Sequence, residues 1–321
     1  MRTAILFVLT LLGLAAGAQQ PLVSVSRFWG GREAAVSYTF DDGLQDQYTL
    51  AFPELKKRGL KATFAIIGSK VGGVVHSSQD KQMGISGTPC MTWNMLREMA
   101  ADGQEISSHG WEHKKVTRLT AEQLRHEVQR NDSVILEQTG QRPRTYFYPG
   151  NGKDSATIAF CEQGRVGSRT FQIAIGARRD SAWLSHWVEG LIERGEWGVG
   201  MTHGIATGYD HFSNPQVLWG HWDYITGMQD KLWVAPFCEV AAYVRERDHI
   251  VINVQEHKSK LLVGVSSPLE PTIFRQPLTL HVKLDHIRKA RQGKRKVVPY
   301  HHNGKTLLDI DPNGGTVTIW K

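Results

Sequence analysis

Asp41 and Asp42 stand side by side in Thr39-Phe40-Asp41-Asp42-Gly43. His109 and His113 stand four residues apart in His109-Gly110-Trp111-Glu112-His113, and a further histidine sits in Met201-Thr202-His203-Gly204. Two neutral imidazoles and one carboxylate make a usual catalytic zinc set, with a fourth position left for water. On an extended backbone adjacent side chains point opposite ways, so one aspartate can ligate while its neighbour faces substrate. One i,i+4 pair is expected by chance among fourteen histidines, so the setting of each stretch has to carry the weight. Together the three stretches read as a hydrolytic metalloenzyme with a metal site, a base and an acid.

The setting is consistent. Each stretch ends an apolar, strand-like run, at residues 34–40, 105–108 and 197–202. In barrels of alternating strands and helices, catalytic residues gather at strand C-termini. From about residue 30 to 250 such runs alternate with helical patterns, which predicts an α/β fold with a mainly parallel sheet. Further strands are expected at 62–67 and 146–148, the second running into the turn Pro149-Gly150-Asn151-Gly152. Helices are expected at 48–58 and 91–101. Another opens at the capping box Thr120-Ala121-Glu122-Gln123 and stops at Gly140. Trp183, Trp187 and Leu191 mark one more helical face, and Phe237, Val240 and Val244 another. A Gly/Ser-rich loop spans 68–89, a length that is usually functional or disordered.

After residue 250 the apolar period changes from helical to two. Short strands at 250–254, 260–265, 278–284, 296–300, 305–309 and 316–320 are separated by turns such as His302-Asn303-Gly304-Lys305. This predicts a small antiparallel β-sandwich appended to the barrel. Residues 1–18 read as a signal peptide: Arg2, an apolar run, then Ala16-Gly17-Ala18. The expected division is thus 1–18 signal, 19–249 catalytic barrel and 250–321 accessory sandwich. The apolar run is short for a membrane span, and no cysteine follows it for a lipid anchor. Export, secreted or periplasmic, is the expectation.

Formal charge is +7, densest at 286–296, where a solvated basic hairpin is expected. An exported chain seldom meets nucleic acid, so no nucleic-acid partner is expected; attraction to an acidic glycan is the functional alternative. Cys90, Cys161 and Cys238 are widely spaced and odd in number. They form no metal-ligand pattern and allow at most one disulfide, so buried thiols are expected.

The ordered set of motifs, with Lys61-Ala62-Thr63-Phe64-Ala65-Ile66-Ile67 and Asp102-Gly103-Gln104-Glu105-Ile106-Ser107-Ser108-His109, resembles the polysaccharide deacetylase family (NodB-homology domain, carbohydrate esterase family four) over residues 33–248. The resemblance implies a distorted (β/α) barrel with fewer than eight strands. It implies Asp41 as general base, and Asp42, His109 and His113 as ligands of a divalent metal, commonly zinc. His203 would be the general acid, and a backbone N–H near Gly150 would hold the oxyanion.

Two departures from the family pattern stand out. Phe147 occupies the position where an arginine usually orients the base, so either another cation, with Arg144 as the candidate, holds Asp41 or the base is untethered. Gly150 replaces an aromatic residue after the turn proline. Asp180 is the candidate support for His203, with a helix cap as the alternative. Trp111, Tyr148, Gly150 and Trp222 are candidate substrate contacts, with Tyr209 and Trp219 as further aromatics that could stack on sugars or simply pack. The expected activity is removal of acetyl groups from a carbohydrate, most readily N-deacetylation of an amino-sugar polymer. Ester or non-sugar amide hydrolysis, or glycan binding without turnover, are the alternatives. The sequence leaves oligomeric state open.

Overall fold

The computed structural model describes residues 21–76, 87–177, 179–284 and 286–321. The expected signal peptide and the middle of the expected long loop, residues 77–86, lie outside the described residues. In chain order the first strands are β1 (Val23–Val25), β2 (Ala34–Phe40), β3 (Thr63–Ile66), the short pair β4 (Val74–Val75) and β5 (Thr88–Pro89), and β6 (Glu105–Ser108). They continue with β7 (Thr145–Phe147), β8 (Gly167–Arg169), β9 (Ile173–Ala174), β10 (Trp197–Thr202) and β11 (Leu232–Val234).

Seven of these run side by side and parallel in the order β8-β7-β6-β3-β2-β10-β9, a curled half-barrel. β11 lies off that path, parallel to the N-terminal half of β2. A parallel sheet covered on both faces needs strands that are buried throughout, and every residue of β2 is buried. Its alternate residues Ala34, Val36, Tyr38 and Phe40 join the core that packs the helices onto the sheet. Ser37 and Thr39 point the other way; Ser37 accepts a hydrogen bond from the Trp197 indole, and Thr39 accepts one from Arg169.

The helices follow the apolar spacing. Thr92 and Thr120 cap helices that begin at Trp93 and Ala121. The second passes through a π turn at His126–Arg130 before ending at Gly140, whose φ is +74°. Helix Ser181–Arg194 presents Leu184, Val188 and Leu191 to the core, and helix Gln216–Thr226 presents Leu218, Trp222 and Ile225. The three cysteines are free and buried.

The C-terminal strands are β12 (Val251–His257), β13 (Lys260–Ser266), β14 (Leu278–Val282), β15 (Lys289–Gln292), β16 (Arg295–Val297), β17 (Tyr300–His302), β18 (Lys305–Ile310) and β19 (Val317–Trp320). They form two antiparallel sheets, β12-β13-β19-β15-β16 and β1-β14-β18-β17. The expected strand at 296–300 is split between them: β16 lies in one sheet and β17 in the other. Pro299 has no N–H to give a ladder, so the chain crosses there. The N-terminal β1 pairs with β14 (Val23 opposite Val282), joining the chain's start to its end. The basic run forms the hairpin β15–β16.

The core between these sheets is continuous with the barrel. Leu261, Val263, Leu280, Ile310 and Ile319 share one cluster with Ala35, Trp233, Val240 and Tyr243. The Tyr243 hydroxyl donates to the Ser26 carbonyl at 2.9 Å, and the Gln276 N–H donates to Glu246 at 3.0 Å. Ala35 lies at the start of β2, so the sandwich seats on the end of the half-barrel opposite the strand C-termini.

Candidate active site

The motif residues lie at or just beyond strand ends. Asp41 and Asp42 follow β2, His109 follows β6, Tyr148 and Gly150 follow β7, Arg169 ends β8, and His203 follows β10. These ends converge on one cleft of about 530 Å³ lined by Asp41, Asp42, His109, His113, Tyr148, Gly150, His203 and neighbours.

The two aspartates are separated by backbone geometry rather than by strand alternation alone, because Asp42 sits at φ +69°. Asp42 Oδ1 lies 3.5 Å from His109 Nε2 and 3.6 Å from His113 Nε2. The two Nε2 atoms are 3.2 Å apart. For a tetrahedral zinc with bonds of about 2.0–2.1 Å, the donor–donor edge is about 3.3 Å, so the triangle has the right size. The protonation pattern agrees. His109 Nδ1–H donates to the Phe147 carbonyl at 2.9 Å, leaving the Nε2 lone pair for a cation. Burial, and then the neighbouring His109, push His113 down to about 4, so it is a neutral imidazole at neutral pH. Asp42 Oδ1 is buried without a hydrogen-bond donor, an orphan that a cation would satisfy. Asp42, His109 and His113 therefore fit a divalent metal.

Asp41 points elsewhere. Arg169 grips it with a two-pronged fork, Nη1 to Oδ1 at 2.8 Å and Nη2 to Oδ2 at 2.6 Å. Nη1 also donates to Thr39 at 2.9 Å. Both partners are almost fully buried. Burial alone would raise the Asp41 carboxyl, but the guanidinium overcomes it and holds the carboxyl well below the usual carboxylate range. Arg169 is thus the cation that holds and aims Asp41. It stands opposite Phe147 in the β7–β8 pairing, and its guanidinium lies 4.2 Å from the centre of the Phe147 ring. The arginine missing from the third motif has its counterpart one strand over. Arg144 does not fill that role; its nearest acceptor is the Cys238 sulfur at 3.7 Å.

Side chains beyond the motifs fix the loops. The Gln47 amide donates to the carbonyls of Asp41 (2.6 Å) and His203 (2.8 Å), tying the segment that follows β2 to the one that follows β10. Asp46 Oδ2 accepts from the N–H groups of Ile205, Ala206 and Thr207 at 2.8–3.0 Å. The buried Glu127, in the π turn, accepts from the N–H groups of Glu112 (3.0 Å) and Lys114 (2.9 Å), which brackets His113. Asn131, one turn later, donates to the Ile66 carbonyl and Ser108. None of these was singled out from the sequence. Asp46 and Gln47 lie within six residues of Asp41, but no local pattern marks a carboxylate or amide that reaches 150 residues along the chain.

His203 lies edge-on to Tyr209, with centroids 4.8 Å apart, and its Nδ1 is buried without a partner. Asp180 caps helix Ser181–Arg194, accepting from the Trp183 N–H at 2.8 Å, which is the helix-cap alternative. The acid beside His203 is Asp210: burial raises its carboxyl and the charge of His203 draws it back.

Trp222 is a correction. It is fully buried, packed edge-on to Tyr38 and Phe40, because the helix that carries it turns that face to the core. It does not line the cleft that holds Asp41 and Asp42. Trp219 packs beside it. Trp111 also lies off the cleft lining, with its ring against Gly68 and under Arg130 at 4.4 Å. Tyr148 lines the cleft and donates its hydroxyl to Ser168 at 2.8 Å. Tyr209 lines it too and is 48% exposed.

Residues 30–163 match a sequence model of the polysaccharide deacetylase family. YxkH of Bacillus subtilis, whose name places it among polysaccharide deacetylases, is 30% identical over 131 residues, 41% of this chain and 42% of that one. The peptidoglycan-N-acetylmuramic acid deacetylase PdaA of Bacillus subtilis is 25% identical over 56% of this chain and 55% of its own. The peptidoglycan-N-acetylglucosamine deacetylase PgdA of Listeria monocytogenes is 24% identical over 36% of this chain and 21% of its own. The chain therefore spans from about a fifth to just over half of these relatives. A crystal structure from Mycobacterium smegmatis shares the fold, with TM-score 0.55 at 15% identity, over 70% of this chain and 94% of that one. The similarity to the polysaccharide deacetylase family thus covers residues 30–163, which carry Asp41, Asp42, His109 and His113.

Proposed function

We propose that this protein is a metal-dependent hydrolase that removes acetyl groups from a carbohydrate, most readily N-acetyl groups from an amino-sugar polymer. The observation that carries this reading is the pairing of two sites in one cleft. The buried Arg169–Asp41 fork stands beside a triangle of Asp42, His109 and His113 with the dimensions of a zinc site. A divalent cation held by that triangle, zinc by the nitrogen-rich donor set, would polarise the acetyl carbonyl and acidify water.

The chain's own residues supply the rest. Asp41, kept ionised and aimed by Arg169, takes the proton from the attacking water. His203 gives a proton to the departing nitrogen, since an amine leaves poorly unless protonated. A backbone N–H near Gly150 would hold the oxygen that becomes negative. Asp210, whose carboxyl feels the charge of His203, is the acid nearest in effect to it, in place of Asp180. Gln47 keeps base and acid at a fixed separation.

In this reading residues 1–18 are a cleaved signal, 19–249 the catalytic barrel and 250–321 the sandwich, with β1 contributed to the sandwich from the barrel's side. The protein works outside the cytoplasm, secreted or periplasmic. The names of PdaA and PgdA, both peptidoglycan deacetylases, support a polymer substrate there. Among the described residues no helix is long and apolar enough to cross a membrane. The test is acetate release by zinc-loaded protein from N-acetylated and O-acetylated oligosaccharides, with His203→Ala as the control. Acetate from the N-acetylated set, lost in the variant, is the expected result. Acetate from O-acetylated glycans alone would move the reading to an esterase, and glycan retention without turnover would reject catalysis.

A further inference from the structure

The two imidazoles of the metal triangle are secured in different ways. His109 follows the last residue of β6 and is held by the sheet. Its N–H donates to the Ile66 carbonyl at 3.0 Å, its ring donates to the Phe147 carbonyl, and its side chain is 2% exposed. His113 stands in a loop, its side chain is 38% exposed, and its backbone sits at φ +61°. That left-handed conformation is costly for a residue with a Cβ. Relaxing it would swing the ring away from Asp42.

One side chain holds this loop in place. Glu127 Oε1 accepts from the N–H groups of Glu112 at 3.0 Å and Lys114 at 2.9 Å, the residues immediately before and after His113. Oε2 also accepts from the Glu112 N–H at 3.1 Å, and the Glu127 carbonyl accepts from the Trp111 N–H at 2.9 Å. Glu127 is itself fixed: it is 1% exposed and lies in the π turn His126–Arg130, a local widening of a helix that is frequent at functional sites. Asn131, four residues on, donates to the same Ile66 carbonyl that receives the His109 N–H. The segment is thereby anchored to the strand end that carries the other imidazole. The approach is close enough that a Cβ on Gly110, at φ +81°, would overlap Glu127 Oε1.

We propose that Glu127 is the positioning residue of the metal site: by clamping the N–H groups on both sides of His113 it holds that ligand in its left-handed conformation, and so sets how tightly the metal is kept. This rests on the metal-dependent reading above and adds to it a residue outside the ligand set. The clamp works through the place of one oxygen, since both N–H groups meet Oε1. An amide oxygen at that place can serve; a carboxylate drawn back from it cannot.

The test is the zinc dissociation constant of the full chain, stripped and reloaded, read by competition with a chromophoric chelator. Circular dichroism and thermal melting of the metal-free samples accompany it. Glu127→Ala should weaken zinc binding by about 10–100-fold, the usual worth of a partner that orients a metal ligand, with the fold retained. Glu127→Gln, which keeps an acceptor oxygen without the charge, should recover most of that loss. Glu127→Asp, which keeps the charge one methylene further back, should recover little, and these two variants decide the matter alone if the alanine variant does not fold. A lower melting temperature with unchanged zinc affinity would overturn the clamp and leave the deacetylase reading standing. Zinc kept by Glu127→Asp but lost by Glu127→Gln would overturn it as well, by assigning the effect to charge. An unsubstituted chain that takes up no zinc would overturn both.

Discussion

The two ends of the half-barrel are built on opposite principles. At the strand C-termini the backbone is strained and the polar atoms are left waiting. Among the described residues five non-glycine residues have positive φ, and Asp42, His113, Asn151 and Asp210 of these lie at or beside the cleft. Asp42 Oδ1, His203 Nδ1 and Asp210 Oδ2 are buried there without partners. At the other end, where the sandwich seats, the strands alternate apolar residues inward in the regular period of two. Beyond Trp222 no described buried side-chain polar atom lacks a partner. The fifth positive φ, at Asn303, belongs to an ordinary hairpin turn. Strain and unsatisfied polarity are tolerated where chemistry needs them, and the surrounding packing holds them in place.

If that division is real, substitutions at the mouth should cost function and those at the sandwich should cost stability. The largest expected effect is at the metal triangle. Asp42→Ala or His113→Ala should abolish zinc retention by elemental analysis, and acetate release should drop to background with the fold intact by circular dichroism. Asp41→Asn comes next: zinc should stay bound while turnover falls about 10²–10⁴-fold, the usual worth of a positioned base. Undiminished turnover would reject the base assignment.

Arg169→Met crosses the division, since it strands a buried carboxylate. Unfolding by denaturant should show a loss of about 3–5 kcal/mol together with lost activity, whereas Arg144→Ala should leave turnover intact. At the sandwich, Leu280→Ala or Ile319→Ala should lose about 2–5 kcal/mol of stability with kcat/KM unchanged well below the melting temperature. A fall in kcat/KM there would break the contrast.

The smallest effect is a pH dependence at the seam. Burial pushes the Glu246 carboxyl up to about 8 from its ordinary 4.5, against the pull of the Gln276 N–H. The unfolded chain therefore releases this proton first. Stability is full below about pH 4.5 and declines as pH rises toward 8. Glu246→Gln should remove that decline, raising the melting temperature by a few degrees at pH 8–9 and little at pH 4.

What could be read from the sequence follows the same line. Asp41, Asp42, His109, His113 and His203 were legible because each sits in a short motif at the end of an apolar run, and strand-end chemistry is local. Helix caps at Thr92, Thr120 and Asp180 obey equally local rules. Arg169 was not legible. Its role depends on Phe147 and Arg169 being paired across neighbouring strands, a register that no segment encodes alone. Glu127 and Gln47 were hidden for a related reason: each acts on backbone groups contributed by another segment. Trp222 was misplaced because an aromatic near a motif looks the same from sequence whether its helix turns it outward or inward; here Leu218 and Ile225 on the same face draw it into the core.

The most direct measurement is anomalous X-ray diffraction at the zinc edge from crystals of the full chain grown with zinc. A single strong peak about 2.0–2.1 Å from Asp42 Oδ1, His109 Nε2 and His113 Nε2, with Asp41 still clasped by Arg169, is the predicted result. A peak elsewhere, or none at that triangle, would contradict it.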